Sequence, residues 1–372
     1  MSATRTKRLL TVQVVRDGGG SETALIRMIR QLVADGWECH VAISGPARLA
    51  AEYAAAGAVL HIVALERITT SGPSSRWLRF VAGWPVSVLR LVWLARRLDA
   101  DVIHTNAIHS LYGWAVALIV RRPHVWHARE IVVQSSVALR LERWLARHFA
   151  TVVIAISAAV AAQLDPANVI EVTDEPDPHE FAPGRAGHFR LREGIADSVA
   201  LVGAATRIDT WKGVDVLLDA VPLLRRSRPA IEVVVAGGPV AGKEAYAEGL
   251  GRRAGELGVR WLGARQDVPE LMADLDVFVQ ASTEPEPFGL GLVEALTSGT
   301  PVVATAAGGP LEILAAAPAG AGRLVPLRDA AALADGVLAL LAASGSTTAS
   351  RRAWGRMRAL GCGEVLAVFG AM

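Results

Sequence analysis

Short β-branched runs alternate with helical patterns along most of the chain, and this alternation limits the fold more than any other sequence feature. In the first half it begins at "LLTVQVV" and ends at "TVVIAIS"; in the second half it begins again at "VALVGAAT" and continues to "PVVAT". Strands separated by helices pair in parallel through crossover connections, which build a doubly wound sheet. We therefore predict an α/β protein with two doubly wound, Rossmann-like domains.

The boundary between the two halves is a segment rich in proline and acidic residues, "EVTDEPDPHEFAPGRAG" at 171–187. A chain of 372 residues also exceeds the size of a typical single core. We expect the carboxyl ends of both sheets to meet a ligand in a cleft between the domains. The predicted bounds are 1–175 for the N-terminal domain, 176–190 for the linker, 191–350 for the C-terminal domain and 351–372 for an atypical C-terminal segment.

The composition excludes several classes of protein. The 52% apolar content suits large buried sheets, and the 20% charged content argues against disorder. With only Cys39 and Cys362, the chain cannot build a disulfide framework or a cysteine zinc site, which fits a reducing cytoplasm. The net charge of +2 gives no indication of nucleic-acid binding, and the basic N-terminus is typical of a first strand rather than a signal peptide. We predict a cytoplasmic protein that binds no nucleic acid.

The most membrane-like segment is "WLRFVAGWPVSVLRLVWLARRL" at 77–98. Arg79 and Arg90 interrupt it and Pro85 is expected to break it, so we predict no membrane-spanning helix. Its mixture of tryptophan and arginine suits the interface of an anionic membrane, but it equally suits an amphipathic helix that packs on a core. Peripheral attachment at the inner membrane face therefore stays open at this point.

Two glycine-rich loops suggest phosphate binding. "RDGGGSETALIRM" places Gly19 and Gly20 between the first strand and the first helix, where the backbone can approach a ligand and helix-start amides attract anions. A dinucleotide fingerprint needs glycine where Thr23 stands, and a tight turn would also explain the glycines. "GGPVAGKE" nearly matches the P-loop of nucleoside triphosphatases, but Glu244 replaces the residue that binds magnesium.

The most informative stretch is "EPEPFGLGLVEALTSGTPVVATAAGG" at 284–309. Glu286 and Glu294 stand eight residues apart across a predicted helix start, but Glu248 and Glu256 repeat that spacing on a helix whose polar face explains both. The context is more specific, since "EPFGLGLVEAL" is followed in order by "SGTPVVAT" and "GGPLEIL". This ordered set resembles the donor-site signature of retaining GT-B glycosyltransferases of family four.

Other motifs look like that family in the same order over residues 9–340. "GGSE" at 19–22 is similar to the family's first-loop motif, and "HVWHARE", which contains His127, is similar to its fifth strand end. "RIDTWKG" places Arg207 and Lys212 at the family's spacing. The segment "VRWLGARQDVPELMADLDVFVQAS", which contains Arg265, resembles its base-binding segment.

Two segments depart from the family pattern. The family usually has Asn-Gly-Val-Asp before the linker, where this chain has 174–177, "DEPD". The last segment is interrupted at Gly361 and Gly363, so the helix that crosses back to the first domain in the family is expected to be shortened or missing.

The resemblance implies a GT-B fold and transfer of a sugar, with retention at the anomeric carbon, from a UDP- or GDP-sugar. The implied acceptor is a glycan of the cell envelope, a lipid-linked molecule or a small molecule. The donor is a substrate, and neither a cofactor nor a metal is expected: Asp274 and Asp276, the best acidic pair, would be turn residues. The alternatives are a sugar-nucleotide-binding protein without transferase activity, a GT-B-fold epimerase and a P-loop nucleoside triphosphatase.

The resemblance also assigns roles to single residues. Glu286 is expected to contact hydroxyls of the donor sugar, and Glu294 to accept hydrogen bonds from the ribose. Arg207 and Lys212 would offset the charge of the leaving diphosphate, together with the amides at the helix start. His127 is expected near the transferred sugar. The predicted catalytic residues are His127, Arg207, Lys212 and Glu286, and the predicted donor-binding residues are Gly19, Gly20, Arg265, Phe288, Gly289, Leu290 and Glu294.

Overall fold

The fold is that of a computed structural model, which describes residues 5–14, 19–45, 49–66, 74–132, 135–164, 166–343 and 367–372, without the side chains of 74–78 and 166. The chain divides into two compact units. Unit 1 comprises Met1–Asp174 together with Leu360–Met372, and unit 2 comprises Glu175–Ala359. The predicted linker, 176–190, thus falls within unit 2.

Unit 1 has a doubly wound parallel sheet, as predicted from the alternation of strands and helices. Within the described residues it has seven strands in the order β3-β2-β1-β4-β5-β6-β7, and every neighbouring pair is parallel. The strands are β1 Arg8–Gln13, β2 Glu38–Ile43, β3 Ala58–Ile62, β4 Val102–Thr105, β5 His124–Ala128, β6 Val152–Ala155 and β7 Val169–Glu171. The helices are α1 Gly20–Ala34, α2 Ala50–Ala55, α3 Ser74–Leu98, α4 Gly113–Val120, α5 Ser136–Phe149 and α6 Ala158–Ala161.

The core of unit 1 lies on both faces of this sheet. Successive strand residues point to opposite faces, so Leu9 packs with Leu25 and Ile29 of α1, whereas Leu10 packs with Leu91 of α3 and Val116 of α4. Strands that are buried on both faces must be apolar along their whole length. This requirement explains why the strand runs were recognisable in the sequence.

Unit 2 repeats the architecture with six described strands in the order β10-β9-β8-β11-β12-β13, again all parallel. The strands are β8 Ala200–Ala205, β9 Ile231–Ala236, β10 Arg260–Gly263, β11 Val277–Gln280, β12 Val302–Thr305 and β13 Gly322–Val325. The helices are α7 His188–Glu193, α8 Val214–Ser227, α9 Glu244–Glu256, α10 Val268–Asp274, α11 Leu290–Thr297, α12 Gly309–Ala316 and α13 Ala330–Ala343.

Two strands, β7 and β13, were not predicted from the sequence. Both are short, three and four residues long, and each lies at the edge of its sheet. An edge strand is only half enclosed, so "VIE" and "GRLV" need not show the continuous apolar character of central strands. β7 includes Glu171, which is also the first residue of the acidic segment between the two halves of the sequence.

Helix α3 differs from expectation at one residue. Pro85 lies inside the helix and does not end it. Even so, none of the helices in the described part of the chain is long and apolar enough to cross a membrane.

The last described residues, 367–372, belong to unit 1. Phe369 is fully buried in the core beside α1, with its ring edge against Trp37 at a centroid distance of 6.0 Å. The chain thus ends packed on its first sheet. The expectation of a shortened or missing crossover helix concerns 351–372, of which 351–366 lie outside the described residues, so it stays a prediction.

Candidate functional site

Four residues that the sequence predicts for the site lie beyond the carboxyl ends of β8 and β11 in unit 2. We call these four residues the unit 2 edge: Arg207, Lys212, Glu286 and Gly289. These two strands are neighbours, while β9 lies on the other side of β8, so the order of the strands reverses at β8. Such a switch point leaves a crevice at the carboxyl ends of the strands, where α/β sheets bind ligands. The topology therefore brings together residues that are 74 positions apart in the chain, Lys212 and Glu286.

The loop after β8 is held in a fixed shape by its own side chains. Asp209 accepts a hydrogen bond from the Thr210 amide at 2.8 Å and begins the short 3₁₀ turn Thr210–Lys212. Gly213 follows with φ +67°, and a Cβ there would lie 1.8 Å from the carbonyl oxygen of Ala281. Only glycine allows the loops after β8 and β11 to approach this closely.

Lys212 and Glu286 form a buried ion pair at the point where these loops meet. The Lys212 ammonium donates to both carboxylate oxygens of Glu286, at 2.9 and 2.8 Å, and the side chains are 14% and 8% exposed. Ser282 donates a further hydrogen bond to Glu286 at 2.7 Å. Burial lowers the pKa of Lys212, and the charge of Glu286 opposes that shift.

The glycines after β12 explain the remaining part of the signature. The Glu286 amide donates to the carbonyl of Ala307 at 3.2 Å, and the Gly309 amide donates to the carbonyl of Glu286 at 2.8 Å. A Cβ on Gly308, whose φ is +75°, would lie 2.1 Å from the Glu286 carbonyl oxygen. The Gly-Gly turn thus holds the backbone of Glu286 in place by direct contact.

Helix α11 begins at the end of the loop that carries Glu286. Gly289 is the N-cap with φ +105°, no side chain caps the helix, and no acidic residue occupies the first turn, which starts at Leu290. Phe288 is buried, and its donor-binding role stays a prediction. Glu294 is half-buried and lies one turn further along α11. Uncapped amides at a helix start are suited to an anion.

Arg207 adds a second cation to the unit 2 edge. It is half-buried, and in the described part of the chain its guanidinium makes no hydrogen bond or ion pair. Its charge contributes to the lowered pKa of Lys212, so the two cations lie within electrostatic reach of each other. The charge of Asp209 also acts on Lys212, so the two cations stand against two carboxylates, and the guanidinium of Arg207 is the cation that no described carboxylate engages. Such a guanidinium is suited to a further anion.

Arg265 is not part of this arrangement. It donates to both oxygens of Asp267 at 2.6 Å, pairs with Glu193 at 3.0 Å, and lies 5.4 Å from the ring centre of Phe189. Its guanidinium is therefore engaged by two carboxylates of the protein, and a donor-binding role stays a prediction.

Two other sequence features find structural explanations. Asp274 and Asp276 both bind Arg190, through its amide at 2.8 Å and its guanidinium at 2.7 Å, and so fasten α7 to the sheet. Glu244, in the loop that resembles a P-loop, accepts a hydrogen bond from the Gly242 amide at 3.0 Å. Its carboxylate thus occupies the place of a phosphate at the start of α9. Among the described residues, no group of three potential metal ligands is present.

The matching pair of glutamates on α9 has neither burial nor partners of this kind. Glu248 and Glu256 are both exposed on that helix. Equal spacing therefore has two different structural meanings in this chain. Only at Glu286 and Glu294 does the second member follow a helix start at the switch point of a sheet.

The corresponding polar residues of unit 1 lie at or just beyond the carboxyl ends of β4 and β5. We call them the unit 1 edge: Asn106, His127 and Arg129. Arg129 donates to Asn106 at 2.7 Å, pairs with Asp174 and contacts Nδ1 of His127 at 3.4 Å. Arginine can only donate, so Nδ1 of His127 accepts and the neutral ring carries its proton at Nε2. That Nε2 is buried and has no partner in the described part of the chain.

Burial keeps the histidines of this edge neutral. His127 and His104 are almost completely buried, with ring centroids 5.8 Å apart, and desolvation followed by the charge of Arg129 lowers the pKa of both well below the ordinary value. The ring of His127 is thus a neutral hydrogen-bond donor through Nε2.

The backbone conformation of the first loop of unit 1 does not require glycine at Gly19 or Gly20. Gly19 caps α1 in an extended conformation, φ −89°, and α1 begins at Gly20. Neither has the positive φ that requires glycine. Gly18 lies outside the described residues.

Two family models match the chain on either side of the linker. The model described as "Glycosyltransferase Family 4" matches residues 18–171, and the model described as "Glycosyl transferases group 1" matches residues 197–343.

Curated relatives match a smaller part of the chain. "D-inositol 3-phosphate glycosyltransferase" of Mycobacterium marinum is 36% identical over 151 residues, which are 39% of this chain and 31% of that protein. The protein of the same description from Stackebrandtia nassauensis is 37% identical over 155 residues, 39% of this chain and 35% of that protein. The chain thus spans about a third of the length of these relatives.

Solved structures match almost the whole chain. Anabaena Alr3699/HepE in complex with UDP and glucose superposes with a TM-score of 0.83 at 25% identity, covering 98% of this chain and 99% of that one. WaaG, a glycosyltransferase involved in lipopolysaccharide biosynthesis, superposes with a TM-score of 0.63 at 21% identity, covering 94% and 93%. These matches confirm the predicted fold class, two doubly wound parallel-sheet domains of the GT-B kind.

Proposed function

The chain belongs to the glycosyltransferases of group 1 and family 4, and we propose that it transfers a sugar from a nucleotide-sugar donor to an acceptor with retention at the anomeric carbon. The observation that carries this proposal is the unit 2 edge, where the Lys212–Glu286 pair stands beside Arg207, whose guanidinium is engaged by none of the described residues. A leaving nucleotide diphosphate needs positive charge at the bond that breaks, and a sugar needs fixed hydrogen-bond acceptors for its hydroxyls.

Each predicted residue has a distinct task in this proposal. Lys212, Arg207 and the first amides of α11 hold the diphosphate, whose negative charge grows as the glycosidic bond breaks. Glu286 accepts hydrogen bonds from the donor sugar, and its carboxylate is oriented by Lys212 and Ser282. Glu294 accepts hydrogen bonds from the ribose.

His127 is suited to a different task. Its neutral ring offers Nε2–H as a donor, so we expect it to bind a sugar oxygen rather than to compensate negative charge. The glycines of the first loop, Gly19 and Gly20, and Arg265 keep the donor-binding roles that the family resemblance gives them, as proposals.

For the donor, we propose a UDP-sugar first and a GDP-sugar second. The Anabaena structure contains UDP and glucose. The acceptor is proposed to be a lipid-linked molecule or glycan precursor at a membrane surface, with the chain attached peripherally on the cytoplasmic side.

The outer surfaces of α3 and α5 support peripheral attachment. On α3, Val86, Leu89 and Trp93 are 49%, 65% and 59% exposed, and on α5 Leu141 and Trp144 are 48% and 52% exposed. Exposed cations flank these apolar residues: Arg79, Arg90, Arg96 and Arg97 on α3, and Arg140 and Arg143 on α5.

No acid opposes these cations on either helix. The sequence of α3 has no acidic residue, and the sole acid of α5, Glu142, is buried and pairs with His109 at 2.6 Å. The two helices are linked through α4 by ring contacts: Trp84 stacks on Trp114 at a centroid distance of 6.0 Å, and Trp114 is tilted against Phe149 at 4.9 Å. Exposed tryptophan surrounded by arginine is suited to an anionic lipid interface.

The test of the function is a transfer assay. The purified chain is incubated with a panel of labelled UDP- and GDP-sugars and with three acceptor pools: a membrane lipid extract, a cell-envelope glycan fraction and inositol phosphates. Label that moves to an acceptor supports the transferase, and the anomeric configuration of the product, read by NMR, tests retention. Donor binding without transfer to any pool favours a binding protein, epimerised sugar nucleotide favours an epimerase, and ATP turnover favours the nucleoside triphosphatase.

Membrane attachment is tested separately by co-sedimentation with vesicles. We expect binding to vesicles that contain phosphatidylglycerol, weakened by salt, and little binding to vesicles of phosphatidylcholine alone. Leu89→Glu and Trp144→Glu should each weaken it. Leu191→Glu is the matched control, because Leu191 is 85% exposed in unit 2, outside this surface. Absence of binding at low salt would end this part of the proposal.

A further inference from the structure

Trp211 touches both loops of the unit 2 edge with different parts of the same residue. Its ring face lies under the Lys212 ammonium, 3.9 Å from the ring centre. Its indole N–H donates to Asp209 at 3.1 Å, and its carbonyl accepts a hydrogen bond from the Thr283 amide at 2.8 Å. Thr283 belongs to the loop that carries Glu286, so one residue joins the cation, its turn and the loop of its counter-ion.

The ring and the carboxylate hold the ammonium in different ways. Glu286 takes up the hydrogen-bond donors of Lys212 and neutralises its charge, so it competes with a diphosphate for the same group. An aromatic face attracts a cation through its quadrupole and leaves the charge and the N–H groups available. The ring is therefore the partner that can stay in place when an anion arrives.

Keeping the charge on Lys212 is itself a requirement. Burial lowers the pKa of Lys212, the charge of Glu286 counteracts this, and Arg207 lowers the pKa further. If Glu286 turns to the hydroxyls of a donor sugar, Lys212 loses part of its stabilising partner. A cation–π contact that does not change on binding then limits the loss of charge.

Asp209 holds the ring in the orientation that this contact needs. One of its carboxylate oxygens caps the 3₁₀ turn through the Thr210 amide at 2.8 Å, and the other accepts from the indole at 3.1 Å. The backbone turn and the ring plane are thus fixed by a single side chain.

We propose that Trp211 is a positioning residue for the donor diphosphate: its ring face holds the Lys212 ammonium, and Asp209 holds the ring. The proposal rests on the proposed function, because it takes Lys212 to be the group that contacts the diphosphate.

The test compares two ligands by calorimetry, UDP and uridine, which differ only in the diphosphate; GDP and guanosine replace them if the wild-type chain prefers that base. Trp211→Leu should weaken UDP by about 3- to 30-fold and leave uridine unchanged. Trp211→Phe keeps an aromatic face and should lose less. Trp261→Leu is the matched control, since it removes a half-buried indole of the same unit that packs on the core, and its UDP-to-uridine ratio should equal that of the wild type.

A double-mutant cycle separates positioning from a general structural effect. In a Lys212→Ala background, Trp211→Leu should cause no further loss of UDP affinity, because the group through which it acts is gone. A full additional loss in that background, or an equal loss for uridine, would overturn the proposal.

A pH series gives a second reading that does not depend on the size of the effect. UDP affinity should fall as pH rises through the pKa of Lys212. This fall in affinity should occur at lower pH in Trp211→Leu, and at slightly lower pH in Trp211→Phe. An unchanged fall in both variants contradicts the proposal. Lys212→Ala with wild-type UDP affinity would instead refute the proposed role of Lys212, whereas weak binding by Lys212→Ala combined with wild-type binding by Trp211→Leu would refute only the role of Trp211.

Discussion

Each of the two edges contains a buried cation that is paired with a carboxylate from another loop, but the two cations are engaged differently. At the unit 1 edge, Arg129 distributes its nitrogens among Asp174, Asn106 and His127. At the unit 2 edge, Lys212 gives its hydrogen bonds to Glu286, and Arg207 beside it makes no ion pair with any described residue. The cation of the first edge is fully engaged by the protein, whereas the second edge contains a cation that no described carboxylate engages.

This difference separates two uses of a buried ion pair. A cation whose donors are all used by the protein holds loops together, and in unit 1 it ties the end of β5 to Asp174, which follows β7. A cation that can exchange one partner for another can bind a ligand. We therefore expect substitutions at Arg129 and its partner Asp174 to act on stability, and substitutions at His127 and at the unit 2 edge to act on binding and transfer.

The largest expected effect tests the structural half of this difference. Asp174→Ala leaves Arg129, whose side chain is 3% exposed, without its counter-charge. Breaking a buried pair from one side costs about 3–5 kcal/mol in the free energy of unfolding. Urea unfolding measures it, with Asp219→Ala as control, because Asp219 and Arg253 form an exposed pair worth no more than about 1 kcal/mol. Equal losses in both variants would mean that Arg129 is not held as described.

The next largest effect tests the ligand-binding half. Lys212→Ala should lower donor turnover by about 10²- to 10³-fold, since it removes charge stabilisation at the leaving diphosphate, and should weaken UDP. Glu286→Ala should reduce turnover strongly without weakening UDP, because its proposed partner is the sugar. The measurement is turnover together with calorimetric UDP binding. If Glu286→Ala weakened UDP as much as Lys212→Ala does, the division of tasks between the two residues would be wrong.

Much of the fold was predictable because parallel strands buried on both faces must be apolar throughout. The runs at Leu9–Val15 and Val199–Thr206 carry that signal, whereas the edge strands β7 and β13 do not. Pro85 shows the opposite error, since a proline that was expected to end a helix is accommodated within α3.

The site was predictable only in part. The signature identified Glu286, Lys212 and Arg207 as members of one site, but their pairing depends on which strands are neighbours, and no local pattern contains that information. Trp211 and Asp209 stand inside the motif "RIDTWKG", but the sequence did not predict them as site residues. An indole beside a lysine in sequence does not show which way its ring faces.

A smaller effect concerns the ribose. Glu294→Ala should remove charge-assisted hydrogen bonds and lower UDP affinity by about 10- to 150-fold. Uridine contains the same ribose and should lose as much, in contrast to Lys212→Ala, which should affect only the diphosphate. Calorimetry with both ligands decides this. Unchanged uridine binding would remove Glu294 from the ribose.

The pH dependence of stability should also differ between the units. The pKa of His127 and His104 is lowered by burial, and burial lowers that of His124 to about 3. As pH falls below about 6.5, these histidines take up protons in the unfolded chain but not in the folded unit, so folding loses up to about 1.4 kcal/mol per histidine and pH unit. Hydrogen exchange at pH 7.5 and 5.5 can follow each unit separately. Amides of the unit 1 core should lose more protection, and equal changes in both units would contradict the assignment.

The smallest expected effect concerns the glutamates of α9, which share the spacing of Glu286 and Glu294 without their surroundings. Glu256 is exposed at the end of that helix, and substitutions at such positions usually change stability by no more than about 0.5 kcal/mol. Glu256→Ala should therefore leave UDP binding, uridine binding and turnover as in the wild type. Parallel measurement with Glu294→Ala makes the result decisive, because both variants remove a glutamate from a helix of the same unit. Similar, small losses at positions 256 and 294 would show that spacing and family resemblance, rather than the geometry at the switch point, had been mistaken for a binding site.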